Sequence, residues 1–201
     1  MTLITAAIRE ELTALYSSPT RHYHSLSHVA ALLSLLSAHR EHFTDPDAVE
    51  AAIWFHDAVY DARAKGPMNE VHSAELAVAR LAGAVDAKRL DWIRRVIEAT
   101  ATHVLPEGLG AAEVGDAALF LDMDLSILGA EEAEFDKYEA AVRREYAFVD
   151  DEAWRTGRAA VLRLFLARET VYHSDLFRVL YEDAARRNLR RSLVRLGADD
   201  V

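Results

Sequence analysis

Residues Trp54–Asp61, with the sequence WFHDAVYD, carry one histidine and two aspartates in a segment that is otherwise apolar. The preceding residues, DAVEAAI, have a helical composition, so the segment is predicted to continue or follow a buried helix. Burying an unpaired charge costs several kcal/mol or forces the group to neutralise. His56, Asp57 and Asp61 therefore need compensating partners from other parts of the chain.

The composition around this segment favours helices. The chain has 201 residues, of which 51% are hydrophobic and 28% are charged, and only four prolines and eight glycines interrupt it. No stretch alternates between apolar and polar residues as an exposed strand would. We therefore predict an all-α, single-domain helical bundle that covers residues 1–201. Cap and turn signals predict nine helices, at about residues 3–16, 25–39, 45–57, 69–83, 86–103, 116–128, 131–146, 151–173 and 174–196.

Charge and cysteine content exclude several classes of partner. The formal net charge is −10, which disfavours bulk binding to a nucleic-acid backbone, although a local basic patch could hold a small phosphate ester. Cysteine is absent, so a metal ion would have to be held by His, Asp or Glu. We see no signal peptide and no apolar run of membrane-spanning length, and we expect a cytoplasmic protein without a membrane partner.

Three other places put polar side chains among apolar ones. In RHYHSLSHV, His24 and His28 are four residues apart, and His28 lies more securely within a helix. His103 lies near a helix end in ATATH, where a protonated imidazole would also favour the helix dipole. Asp122 and Asp124 interrupt the apolar run ALFLDMDLSIL. Because they are two residues apart, they face nearly opposite sides of a helix, and only one should serve a given site.

Together these places supply two or three imidazoles and two carboxylates, and no thiols. This donor set suits one divalent ion with mixed nitrogen and oxygen ligands, namely Mn, Fe, Co, Ni or Zn, with Mg less favoured where several histidines ligate. Such an ion would compensate a buried aspartate and could activate a water. The alternative is a structural cluster in which arginines pair with the buried carboxylates and Asp57 and Asp61 bind water at a helix end.

The order of these residues on a helical chain resembles the HD-domain superfamily of metal-dependent phosphohydrolases. The segments RHYHSLSHV, WFHDAVYD, NEVHSAELA, ATATH, LDMDLSILG and GRAAVLRLFLARETVY are similar to a subgroup of predicted metal-dependent phosphohydrolases, and the similarity covers nearly the whole chain. The resemblance implies no ligand role for Asp124, because the first aspartate of the corresponding family element ligates. The ligands that it implies for one ion are His28, His56, Asp57 and Asp122.

The resemblance also implies hydrolysis of a phosphate ester, in a nucleotide or another small phosphorylated metabolite, by a metal-activated water. Many HD enzymes carry a Glu or Lys soon after the His-Asp doublet, a pattern that this chain does not repeat. Our first candidate for the catalytic acid or base is Asp61 and our second is Glu70. The substrate-binding candidates are Arg21 and Arg158 as phosphate clamps, and His24 and His103 as phosphate ligands or proton donors.

Other functions stay open at this point. All metal ligands could be present in a non-catalytic module that binds a nucleotide or a protein partner. An HD protein that uses iron for oxidation would need further ligands, for which only His24 and His103 are spare. For Arg158, a salt bridge on a long amphipathic helix is the alternative to a phosphate contact. The basic last helix could meet an acidic region of the same chain or a second copy, which leaves a homo-oligomer open.

Overall fold

The computed structural model describes residues 3–198, and its regular secondary structure is helical throughout this range. The prediction of an all-α protein is confirmed, and the described chain contains the predicted number of α-helices. No helix within residues 3–198 is both long and apolar enough to cross a bilayer. The helices are α1 Ala6–Tyr16, α2 Leu26–Ala38, α3 Pro46–Phe55, α4 Met68–Leu81, α5 Ala87–Ala99, α6 Ala111–Asp124, α7 Glu132–Glu145, α8 Asp151–Leu166 and α9 Asp175–Arg195, with 3₁₀ helices at Arg40–His42 and Leu125–Gly129.

Two helix boundaries differ from the prediction near the central segment. Helix α3 ends at Phe55, so Asp57 and Asp61 do not form an i,i+4 pair on one helix. The predicted helix at about residues 69–83 begins one residue earlier, at Met68. The Asn69 side chain accepts from the Asp61 backbone N–H at 3.0 Å and donates to the Asp61 carbonyl at 3.1 Å. The segment after the His-Asp doublet is therefore a turn that is held by side-chain bonds.

Two other helix boundaries differ from the prediction by more residues, namely the start of α6 and the end of α8. Helix α6 begins at Ala111, before the predicted start at about residue 116, and includes Gly115. Its first turn holds the alanines Ala111 and Ala112, which are the best helix formers and outweigh the neighbouring glycines. Helix α8 ends at Leu166, well before the predicted residue 173.

The chain forms two compact units, one up to Asp124 and one from Leu125 onward. In the first unit, α3 contacts α1, α2, α4, α5 and α6. Its start is fixed by Asp45, whose side chain accepts from the Ala48 backbone N–H, and by Pro46 at the first position. Most of α3 is buried, as the sequence predicted, which places its carboxyl end inside the helical core.

Helix α6 is the second buried helix of this unit, with no exposed residue between Asp116 and Met123. The Asp116 carboxylate accepts hydrogen bonds from the backbone N–H groups of Thr44 and Asp45, both at 2.8 Å. These bonds tie α6 to the start of α3. The two helices that end beside the candidate site are therefore joined by bonds as well as by packing.

The second unit packs α9 against the 3₁₀ helix Leu125–Gly129 and against α8. A Cβ on Gly129 would lie 2.6 Å from the Tyr181 Cβ and 2.7 Å from its carbonyl oxygen, so only glycine permits this approach. The Asn188 amide donates to the carbonyls of Leu128 and Ala130, at 2.9 and 2.8 Å. This unit has its own hydrogen-bonded core.

Candidate metal centre

Three helices of the first unit each bring one side chain to a common point. His28 lies on α2, His56 follows the last residue of α3, and Asp124 is the last residue of α6. One ligand atom from each of these residues lies within 4.8 Å of the other two. Within residues 3–198, this is the group of three His, Asp or Glu side chains that could hold a metal ion. His28 and His56 are only 6% and 1% exposed. A group with this composition is able to hold a metal ion.

The distances between the ligand atoms fit one shared ion. The Nε2 atom of His28 lies 3.1 Å from that of His56 and 3.0 Å from Asp124 Oδ1, which is itself 3.5 Å from His56 Nε2. Asp57 Oδ2 flanks them, 3.0 Å from His56 Nε2 and 3.8 Å from His28 Nε2. Ligands about 2.1 Å from an ion lie about 3.0 Å apart in octahedral and about 3.4 Å apart in tetrahedral geometry.

The protonation of His56 is set by the helix that carries it. Its Nδ1 lies 2.8 Å from the carbonyl oxygen of Ile53. Because a carbonyl oxygen can only accept, Nδ1 carries a proton, and Nε2 of the neutral ring points a lone pair toward Asp57 and Asp124. Such an outer hydrogen bond fixes the tautomer and orientation of a metal-binding histidine. His56 is therefore prepared to ligate through Nε2.

The electrostatics of the group favour a positive charge among its members. Burial lowers the pKa of His56, but the carboxylates of Asp57 and Asp124 outweigh it and raise that pKa well above its ordinary value. Burial raises the pKa of Asp57 and Asp124, but the surrounding histidines hold both well below their usual range. Without an ion, His56 Nε2 and the oxygens of Asp57 and Asp124 would face one another as acceptors, and a proton on His56 relieves this repulsion. Two carboxylates and two imidazoles match one divalent ion in charge and in donor type.

The structure brings Asp124 into this group, whereas the sequence resemblance implies Asp122 as the ligand. Both residues lie on α6, about 200° apart around its axis, so they face different sides. Asp124 faces His28 and His56, whereas Asp122 is completely buried and does not belong to the group. The DMD motif indicated that one of the two serves the site, but the rotational phase of α6 was needed to choose.

His103 contacts the group through Asp124. Its Nε2 lies 2.9 Å from Asp124 Oδ2, the oxygen that does not face His28. The backbone of His103 has a φ of 50°, and its N–H donates to the Ala99 carbonyl at 2.7 Å beyond the end of α5. Histidine is tolerated in this left-handed conformation better than most residues. His103 therefore orients the Asp124 carboxylate, a contact that sequence analysis did not predict.

Glu70 has a carboxylate oxygen whose burial no hydrogen bond within the described chain compensates. Its Oε2 is buried and has no hydrogen-bond partner in the described chain. Burial raises the pKa of Glu70, Asp57 raises it further, and His103 and His24 lower it. These interactions place Glu70 within electrostatic reach of the candidate metal centre. A buried carboxylate oxygen without a partner costs free energy, and a role in binding or catalysis is one reason for a protein to retain it.

Asp61 and Arg158 have other partners in the structure. The exposed Asp61 accepts a hydrogen bond from the Arg63 backbone N–H at 2.8 Å, which is typical of a turn. Within the second unit, Arg158 donates to Glu139 and, at 2.7 Å, to the hydroxyl of Tyr138. These contacts give Asp61 and Arg158 structural roles and do not support the predicted catalytic and phosphate-clamping roles.

His24 and Arg21 lie in the turn that precedes α2. The ring of His24 stacks on Tyr60, with centroids 4.3 Å apart and an interplanar angle of 25°. It also approaches His28 edge-on at 6.4 Å. Arg21 donates to backbone carbonyls of this turn and of the His-Asp segment. Both residues therefore contact residues of the candidate metal centre, and their predicted substrate-binding roles stay predictions.

Comparison of the chain with protein-family models, with curated proteins and with solved structures gives no match. The HD-type fold and activity therefore stay predictions from the sequence resemblance. The function has to be argued from the site.

Proposed function

We propose that this chain is a metal-dependent phosphohydrolase that acts on a small phosphorylated metabolite, such as a nucleotide. The observation that supports this proposal is the convergence of His28, His56 and Asp124 on one point, with Asp57 beside them. Donor groups for a structural cluster would normally come from arginine or lysine, but each member of this group can ligate an ion. A metal ion held by such ligands can activate a water and stabilise the charge on phosphoryl oxygens during hydrolysis of a phosphate ester.

The chain would hold a divalent ion through His28, His56, Asp57 and Asp124. When bound, the ion supplies Lewis-acid activation of a water and of a phosphoryl oxygen. The protein's own contribution is to orient the ligands. Ile53 fixes the tautomer of His56 through its carbonyl, and His103 holds the second oxygen of Asp124. Ligands held in this way need little rearrangement when substrate binds.

Glu70 is our candidate for the general acid or base, in preference to Asp61. Its unpartnered Oε2 can accept a proton from a water or return one to a leaving group. A carboxyl whose pKa is raised by burial is better matched to proton transfer near neutral pH than an exposed one. Asp61 is exposed and already serves the turn.

The proposal is tested with protein purified without added metal. Metal analysis should find a bound transition metal, and release of inorganic phosphate should be measured with phosphomonoesters, diesters and nucleotides in the presence of Mn, Co, Ni, Zn or Mg. We expect turnover that a chelator removes and that the added ion restores. The His28→Gln variant should lose it, while the exposed His42→Gln variant should not. Bound metal without any turnover would favour the non-catalytic module, and absence of metal binding would reject the proposal.

Metal binding should also stabilise the fold in a pH-dependent way. An ion present at a hundredfold excess over its dissociation constant raises the free energy of unfolding by about 2.7 kcal/mol. The ion competes with the proton on His56, whose pKa is raised well above its ordinary value of 6.5. We therefore expect binding to release protons and to weaken as the pH falls through that raised pKa. Calorimetry in buffers of different ionisation enthalpy measures the protons; a pH-independent affinity would contradict the assignment of His56 as a ligand.

A further inference from the structure

The guanidinium of Arg21 donates hydrogen bonds to backbone carbonyl groups. Its Nη1 donates to the carbonyl oxygens of Asp57 at 2.6 Å and of His24 at 3.1 Å, and its Nη2 donates to that of Ala58 at 2.8 Å. Both hydrogens of Nη1 and one of Nη2 are thereby engaged. Arg21 thus joins two separate segments of the chain, the turn before α2 and the segment that carries Asp57.

Two aromatic rings lie within cation–π distance of this guanidinium. The Arg21 Cζ atom lies 5.0 Å from the ring centroid of Tyr16 and 5.5 Å from that of Tyr60. The buried Tyr16 hydroxyl donates to the Trp54 carbonyl at 3.1 Å and accepts from the Asp57 backbone N–H at 3.3 Å. The Asp57 backbone is therefore bonded on both sides, its N–H to the Tyr16 hydroxyl and its carbonyl to Arg21.

This stretch needs such support because helix α3 has already ended at Phe55. The carbonyl groups beyond the last helical turn have no intrahelical N–H partner. They also lie at the negative end of the helix dipole, where a cation is favourable. The planar fork of an arginine can satisfy several carbonyls in a fixed geometry, which the single ammonium of a lysine cannot do.

We infer that Arg21 is a positioning residue for the metal centre: it fixes the backbone of the His56-Asp57 doublet against the turn that leads into His28. The inference rests on the proposed function, because it gives Arg21 a role in assembling the metal ligands. It replaces the phosphate-clamp role that the sequence analysis expected. No helical hydrogen bond holds the Asp57 carbonyl, because α3 ends at Phe55. The bond from Arg21 therefore keeps the backbone in the orientation from which the Asp57 side chain would reach the ion.

The experiment compares Arg21→Lys with a matched variant, Arg186→Lys. In the second unit, Arg186 makes the same kind of clamp, donating to the carbonyls of Leu166, Arg168 and Glu169 at 3.3, 2.9 and 2.7 Å. The measurements are the Co²⁺ affinity, the visible absorption spectrum of the Co²⁺-loaded protein, the KM for a phosphate ester that the wild type hydrolyses and the free energy of unfolding of the metal-free protein. Arg21→Gln is a second variant, and Arg21→Lys decides the matter if the glutamine variant does not fold.

We expect Arg21→Lys to weaken Co²⁺ binding by about 10–100-fold, as loss of an outer-shell contact does, and to change the absorption spectrum. Arg186→Lys should lower only the free energy of unfolding. Unchanged Co²⁺ affinity and spectrum in Arg21→Lys would overturn the inference, whatever happens to stability. A raised KM at unchanged Co²⁺ affinity would also overturn it, in favour of a phosphate clamp.

A wild-type protein that binds no Co²⁺ or other divalent ion would refute the proposed function, and a separate readout then decides on Arg21. That readout is the ¹⁵N chemical shift of the His56 ring in the metal-free protein, which senses Asp57 Oδ2 at 3.0 Å from Nε2. The shift should move in Arg21→Lys and not in Arg186→Lys. An unmoved shift shows that Arg21 does not position the doublet.

Discussion

Replacement of Asp124 by asparagine is expected to weaken the binding of a divalent ion by more than about 100-fold, the upper end of what loss of an outer-shell contact causes. The Asp124 carboxylate offers Oδ1 at 3.0 Å from His28 Nε2 and receives His103 at 2.9 Å on Oδ2. Asparagine keeps the shape of the side chain but removes the negative charge that draws the ion into a buried site. Hydrolysis should fall with the loss of metal, and calorimetric titration with Mn²⁺ measures the affinity directly.

Asp122→Asn is the matched control for this prediction. It makes the same chemical change two residues away on the same helix, at a side chain that is completely buried. We expect it to bind Mn²⁺ with nearly wild-type affinity, with its effect confined to the free energy of unfolding. If Asp122→Asn lost the metal and Asp124→Asn kept it, the ligand set implied by the sequence resemblance would be right and the one in the structure wrong.

The contrast between these two aspartates shows where sequence analysis stops. The class of fold could be predicted because alanine-rich segments, few glycines and recognisable caps such as Asp45-Pro46 act locally. The choice between Asp122 and Asp124 depends on the rotation of α6, which its neighbours determine. Because α6 is buried nearly all round, its own pattern of apolar residues does not reveal which side faces the histidines.

The histidines of the candidate site were easier to predict than the residues that support them. His28 and His56 stand out as polar residues in apolar segments, a signal that is present in the sequence itself. Arg21 looks the same in the sequence whether it binds phosphate or backbone carbonyls. Its role depends on where α3 ends, and helix ends are among the least reliable features of a prediction. Contacts across 36 and 37 positions, as between Arg21 and residues 57 and 58, need the folded chain.

Glu70→Gln is expected to lower the rate of hydrolysis by about 10²–10⁴-fold, the usual contribution of a general acid or base, while metal affinity stays close to that of the wild type. The amide has the same size as the carboxyl but cannot take up a proton. Because burial raises the pKa of Glu70, the rate of the wild-type enzyme should fall on the acidic side at a pH above the ordinary value of 4.5. With the metal kept saturating at every pH, the Gln variant should lack this acidic limb, which a pH profile of kcat/KM measures.

The stability of the same variant separates a catalytic role from a structural one. A carboxyl whose pKa is raised in the folded state contributes stability below its unfolded pKa, and this contribution is lost as the pH rises through the folded pKa. At neutral pH, ionised Glu70 therefore destabilises the metal-free fold, and Glu70→Gln should unfold no more easily than the wild type. Asp61→Asn, which retains its acceptor for Arg63, is the control and should change neither rate nor stability appreciably. A slow and clearly destabilised Glu70→Gln variant, or a slow Asp61→Asn variant with Glu70→Gln active, would assign the acid or base role away from Glu70.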